Sequence, residues 1–102
     1  MGLTIDEEKS PSGILIRVVG EVDLYSSPEL RKAILKAIPS AEGGLAIDME
    51  GVAYIDSSGV ATLVEGLRSA REHGTGFAIV SPSAAVMQVL ELARLDSIFE
   101  VR

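Results

Sequence analysis

The apolar residues of this sequence switch repeatedly between two spacings, and this alternation constrains the fold more than any other feature. Residues recurring every three or four positions predict helices at about 27–38, 58–73 and 82–94. Short, largely apolar or alternating runs predict strands at 3–7, 14–19, 45–49, 77–80 and 98–101. Strands separated by helices of this length pair in parallel, so the order predicts an α/β fold with a mostly parallel sheet.

Local signals add detail to this pattern of strands and helices. Turn residues at 9–13 predict a hairpin, which makes the N-terminal strand antiparallel, and the run 14–19 is apolar enough for burial on both faces. Residues 52–55 are interpreted as the connection from the third strand to the second helix. Ser26 and Ser27 offer a capping hydroxyl for the first helix and Ser81 is the predicted cap of the third, with a proline in each first turn. Gly66 inside the second helix is either a site of loose packing that the helix tolerates or a point of close backbone approach, and both interpretations stay open.

Size and charge exclude several classes of function. The chain of 102 residues predicts one domain over 1–102 with one core. Its net charge of -6 argues against nucleic-acid binding and against direct contact with anionic membranes. There is no cysteine, no apolar run near the length of a membrane span and no signal-peptide pattern, so we expect a cytoplasmic protein.

The junction at residues 55–59 places a carboxylate and two hydroxyls where a strand-type run gives way to a helix. The first N–H groups of a helix lack intrahelical partners and carry partial positive charge, so a phosphate on Ser57 or Ser58 would be tolerated. The simplest interpretation is nevertheless that these serines cap the helix. Asp23 is likewise interpreted as a brace of the loop before the first helix, and Thr62 and Glu65 as part of a solvated helix face.

Enzymatic alternatives fit the junction poorly. A serine hydrolase would need glycine two residues before Ser57, where Ile55 stands, and the single histidine, His73, lies about 24 Å further along the same helix. A phosphoacceptor role for Asp56 would require an acidic pair and a lysine that the strand ends lack. Scattered carboxylates at Asp23, Asp48 and Asp56 are weak grounds for a metal site, so we expect neither a metal nor a cofactor.

Three segments together resemble a known family. They are residues 20–23 (GEVD), 45–49 (LAIDM) and 52–60 (VAYIDSSGV), in matching order and spacing over nearly the whole chain. They are similar to the STAS family, and in particular to its bacterial anti-sigma factor antagonists. The resemblance implies that Ser57 is phosphorylated and that Asp56, Ser58 and Gly59 shape the phosphorylated turn. It also implies that Asp23 and Thr62 lie beside this turn in the partner-binding surface.

The resemblance further implies a mechanism of partner switching. The unphosphorylated protein would bind an anti-sigma factor that is itself a serine kinase and thereby free a sigma factor. Phosphorylation of Ser57 would end this binding, and a serine phosphatase acting on phosphorylated Ser57 would restore it. The alternative is a STAS accessory subunit of a lipid-trafficking ABC transporter, or of another signalling assembly, docked through the second helix.

Overall fold

The computed structural model describes residues 2–102, which form a five-stranded sheet in the order β1-β2-β3-β4-β5. β1 is antiparallel to β2, and each later strand is parallel to its neighbour. The elements are β1 Leu3–Ser10, β2 Gly13–Val22, α1 Ser27–Ala37, β3 Leu45–Ile55, α2 Ser57–Glu72, β4 Phe77–Val80, α3 Ala84–Leu92 and β5 Glu100–Val101. The predicted α/β fold with an antiparallel N-terminal strand is therefore confirmed. No helix within residues 2–102 is both long enough and apolar enough to span a bilayer.

Several predicted boundaries differ from the observed ones by a few residues, among them the start of the third helix. The third helix begins at Ala84 rather than near residue 82, because the Ser83 hydroxyl accepts a hydrogen bond from Val86 N at 3.2 Å and caps it. Ser81 does not cap this helix. Its φ is 49°, and its backbone N–H donates to Arg102 O at 2.8 Å, so it lies in the bend directly after β4.

β3 is longer than predicted, because residues 52–55 are strand and not a connection. Its pairing with β2 shifts register between Arg17 and Val19 and again between Gly20 and Glu21, which lets the ladder continue to the pair Val22 and Ile55. Such irregularities keep two strands paired where their local patterns do not match. As a result, β2 and β3 end side by side, immediately before α1 and α2.

The core lies on one face of the sheet. In β2, Ile14, Ile16 and Val18 are buried, whereas Arg17 and Val19 on the opposite face are exposed, so the prediction of burial on both faces is wrong. The core side chains that these strands and the helices contribute include Leu30, Ile34, Leu45, Ile47, Leu63, Leu67, Phe77, Ile79, Val86 and Leu90. The open face is polar at its centre, where Arg17 contacts Glu8 at 2.8 Å and Asp48 at 3.4 Å.

α1 and α2 pack closely against each other at Gly66. A Cβ atom placed on Gly66 would lie 2.9 Å from Ile34 Cγ2 and 3.1 Å from Phe77 Cε2. This glycine is therefore a point of close backbone approach and not a site of loose packing. The preceding residue, Glu65, forms a two-pronged ion pair with Arg31 at 2.8 and 2.7 Å, so it joins the two helices and is not simply solvated.

Candidate functional site

The junction between β3 and α2 is capped by Asp56. Asp56 has extended backbone angles, and its Oδ1 accepts hydrogen bonds from Ser58 N at 2.9 Å and Gly59 N at 3.2 Å. A carboxylate at this position satisfies two of the unpaired helix donors and complements the positive end of the helix dipole. The interpretation of Ser57 or Ser58 as the cap is therefore wrong, since the cap lies one residue earlier in the chain.

The two serine hydroxyls are not equivalent. Ser57 is the first residue of α2 and is exposed, and its hydroxyl forms no hydrogen bond with the rest of residues 2–102. Ser58 is half-buried, and its carbonyl oxygen accepts a hydrogen bond from the Thr62 hydroxyl at 3.1 Å. Ser57 is thus the more exposed of the two serines in this turn.

Gly59 and Thr62 lie beneath this turn rather than on its surface. A Cβ atom on Gly59 would come within 2.6 Å of Ile55 Cγ1 and 2.7 Å of Val22 Cγ1, so α2 rests directly on the ends of β2 and β3. Thr62 is only 6% exposed, and the prediction that it belongs to a solvated face is wrong. Its hydroxyl can be buried because the carbonyl one turn earlier accepts its proton.

Asp23 lies next to the junction, because Asp56 N donates to Val22 O at 3.1 Å. Its Oδ1 accepts from Tyr25 N and Ser26 N, both at 2.9 Å, and these bonds fold the loop between β2 and α1 into a tight turn. The backbone N–H of Ser26, its hydroxyl and the backbone N–H of Tyr25 lower the pKa of Asp23, against the opposing effect of desolvation. The interpretation of Asp23 as a loop brace is confirmed.

Ser26 completes the same turn instead of capping α1. Its hydroxyl donates to Glu21 O at 2.8 Å and accepts from Asp23 N at 2.9 Å. Within residues 2–102, no side-chain capping bond is formed at the start of α1, so the prediction of a capping hydroxyl from Ser26 or Ser27 is wrong. The hydroxyl is used to hold the loop beside α2.

Three large exposed side chains around the junction were missed by the sequence analysis. Leu24 is 65% exposed, Tyr25 is 90% exposed and Tyr54 is 50% exposed. The sequence does carry a signal for the first two, since Leu24 and Tyr25 belong to neither the strand pattern nor the helix stripe. Exposed aromatic and aliphatic residues concentrated near one site are typical of a protein-binding surface.

A metal site and a surface cavity are the other candidates among residues 2–102. Within residues 2–102, no group of three or more His, Asp or Glu side chains is arranged to hold a metal ion. A cavity of about 400 Å³ lies among the turns that precede β2, β3 and β4, at the opposite edge of the sheet from Ser57. Glycine backbone at Gly13, Gly43, Gly44 and Gly76 forms much of its wall.

The fold agrees with a comparison to known families. A family model described as "Mlab, STAS domain" matches residues 5–100. The chain belongs to the STAS domain family. This result confirms the resemblance drawn from the three sequence segments, and the match spans every strand and helix that supports the junction.

Individual relatives extend the comparison. An anti-sigma-B factor antagonist from Listeria monocytogenes is 30% identical over 104 residues, covering 100% of this chain and 90% of the relative. The crystal structure of an anti-sigma factor antagonist from Mycobacterium paratuberculosis has a TM-score of 0.88 and 26% identity, covering 98% of this chain and 85% of that one. The Bacillus cell fate determinant SpoIIAA in its phosphorylated form has a TM-score of 0.74 and 22% identity, covering 97% of this chain and 91% of that one, and so shares the fold.

Proposed function

We propose that this STAS domain is an anti-sigma factor antagonist that acts by partner switching. In its unphosphorylated form it binds an anti-sigma factor with serine kinase activity and so releases a sigma factor, and phosphorylation of Ser57 ends the binding. The observation that carries the proposal is the exposed Ser57 hydroxyl at the first residue of α2, which forms no hydrogen bond with the described residues 2–102. The protein would be a cytoplasmic binding protein rather than an enzyme, reset by a phosphatase that acts on phosphorylated Ser57.

Electrostatics support an effect at the interface rather than on the fold. A phosphate adds about -1.5 to -2 charges. Asp56 already occupies the N–H groups of Ser58 and Gly59, so the phosphate would project outward beside a carboxylate instead of replacing a missing cap. A partner covering this surface would have to remove water from two adjacent negative groups, which opposes binding.

The other residues of the proposed partner-binding site have different parts in this scheme. Ser57 and Ser58 would face the partner directly. Asp23 and Asp56 would shape the two loops and contribute negative charge at the rim. Gly59 and Thr62 would act from below, by letting the first turn of α2 rest on the sheet.

The test is a capture experiment with a charge-matched control. Ser57→Asp should abolish capture of the kinase from lysate of the source organism while shifting the melting temperature by only a few degrees. Ser97→Asp adds the same charge to an exposed serine before β5, at the edge of the sheet where the parallel strands begin, and should capture as wild type does. Mass spectrometry would identify the partner and measure phosphate on Ser57.

Equal capture by the wild type and by Ser57→Asp would refute the proposal. Capture of an ABC transporter ATPase and permease, independent of the residue at position 57, would instead support the accessory-subunit alternative. Ser57→Ala separates the two steps of the switch, since it should retain kinase binding and lose phosphorylation.

A further inference from the structure

Leu24 and Tyr25 form a tip at the end of β2, which we call the Leu24–Tyr25 tip. Their side chains are 65% and 90% exposed. They stand beside the start of α2, because the residue before Asp23 accepts the backbone hydrogen bond of Asp56. Because these side chains stay exposed when the domain folds, they contribute little hydrophobic free energy to its stability. Only contact with another molecule would bury them.

Hydrogen bonds fix the backbone of the Leu24–Tyr25 tip. The Asp23 carboxylate accepts from the backbone N–H groups of Tyr25 and Ser26, and the Ser26 hydroxyl ties the loop back to Glu21 O. The backbone that carries both apolar side chains is therefore fixed before any partner arrives. A partner then loses little free energy in ordering the loop, which is the condition under which exposed aromatic residues become strong binding anchors.

The charges around the Leu24–Tyr25 tip indicate which kind of partner surface it would fit. Asp56 lies at the adjacent helix start, and Glu29 is exposed in the first turn of α1. The Asp23 carboxylate has a lowered pKa and stays ionised at neutral pH. An apolar tip inside an acidic rim fits an apolar pocket bordered by lysine or arginine.

We propose that the Leu24–Tyr25 tip anchors the domain to the anti-sigma factor kinase by inserting into an apolar pocket with a basic border, next to the kinase's phosphoryl-donor site. This inference rests on the proposed function, because it names a second contact of the same partner. Leu24 and Tyr25 are specificity-determining residues and take no part in phosphoryl transfer. Their contact is made equally before and during the transfer, so it sets affinity and leaves the chemical step unchanged.

The experiment uses the kinase purified through its phosphorylation of Ser57. Tyr25→Ala should raise the dissociation constant about 30-fold, equivalent to about 2 kcal/mol, the size typical of an aromatic anchor. Leu24→Ala should raise it less, and Tyr25→Phe should stay close to wild type. In a phosphorylation assay, Tyr25→Ala should raise KM for the domain and leave kcat unchanged.

Leu92→Ala is the matched control, because Leu92 is 78% exposed at the end of α3 and away from the junction. It should bind within twofold of wild type. Unchanged binding by Tyr25→Ala and Leu24→Ala, with Ser57→Asp still abolishing binding, would overturn the anchor and leave the proposed function standing. A fall in kcat with KM unchanged would also overturn it. Failure to find any kinase that phosphorylates Ser57 would overturn both.

Discussion

Replacing Gly66 with alanine tests the packing between α1, α2 and β4. The added methyl would lie 2.9 Å from Ile34 Cγ2 and 3.1 and 3.2 Å from Phe77 Cε2 and Cζ. Ile34 is fully buried and Phe77 is 5% exposed, so neither can turn towards solvent. The isoleucine atom is a branch methyl on a helix, where χ1 is restricted, so either the two helices must separate or Phe77 must tilt.

Two opposing effects set the magnitude. Alanine is preferred over glycine inside a helix by about 1 kcal/mol. Overpacking of a well-packed core costs about 1–3 kcal/mol, and taking about 2 kcal/mol for one methyl gives a net loss of about 1 kcal/mol. For a domain of this size, that loss lowers the melting temperature by about 4–8 °C. If Gly66 were instead loosely packed, the substitution would raise the melting temperature by a similar amount.

The assay is thermal and urea unfolding followed by circular dichroism. Ser69→Ala is the control, because Ser69 lies in the same helix and its hydroxyl forms no hydrogen bond within residues 2–102. It should be neutral or stabilise by about 0.5 kcal/mol, which shows that helix preference alone does not destabilise α2. A higher melting temperature for Gly66→Ala than for wild type would refute the argument from close approach.

Two further predictions concern charged groups on α2. Asp56→Ala should lower the free energy of unfolding by about 1 kcal/mol in urea, because Ser58 N and Gly59 N lose their acceptor, whereas Ser58→Ala should lose little. The ion pair with Arg31 lowers the pKa of Glu65 below its ordinary value of 4.5, so its contribution to stability is present above that value and is lost as the pH falls through the lowered pKa. The difference in melting temperature between wild type and Glu65→Gln should therefore shrink from about pH 7 to about pH 3, and a constant difference would contradict this.

The fold could be predicted because burial follows the spacing of apolar residues. The stripe of Leu63, Leu67 and Ala70 in α2 is buried as its helical spacing predicted. The end of β3 could not be predicted in the same way, because Glu50 and Gly51 interrupt its apolar pattern. Those residues remain in the strand through a shifted pairing with β2, which depends on contacts between segments distant in sequence.

The site was predictable in position but not in its internal contacts. Aspartate and serine are both good helix caps, and only the end of β3 at Ile55 decides that Asp56 takes this role. Thr62 was predicted to be solvated because its hydroxyl is polar, yet its bond to the Ser58 carbonyl makes burial possible. Tyr25 was not singled out, since a residue between two periodic patterns has no predicted face.

The position of Asp56 bears on how phosphorylation of Ser57 would act. If a serine were the cap, a phosphate on it would interact with the helix N–H groups and change the stability of α2. Because Asp56 holds two of those groups, they are paired before modification, and the exposed Ser57 hydroxyl takes no part in this network within residues 2–102. A phosphate there would change the surface charge beside the Leu24–Tyr25 tip while the backbone beneath it stays paired. A carboxylate directly before the serine would therefore suit the proposed switch, which has to release a partner without unfolding.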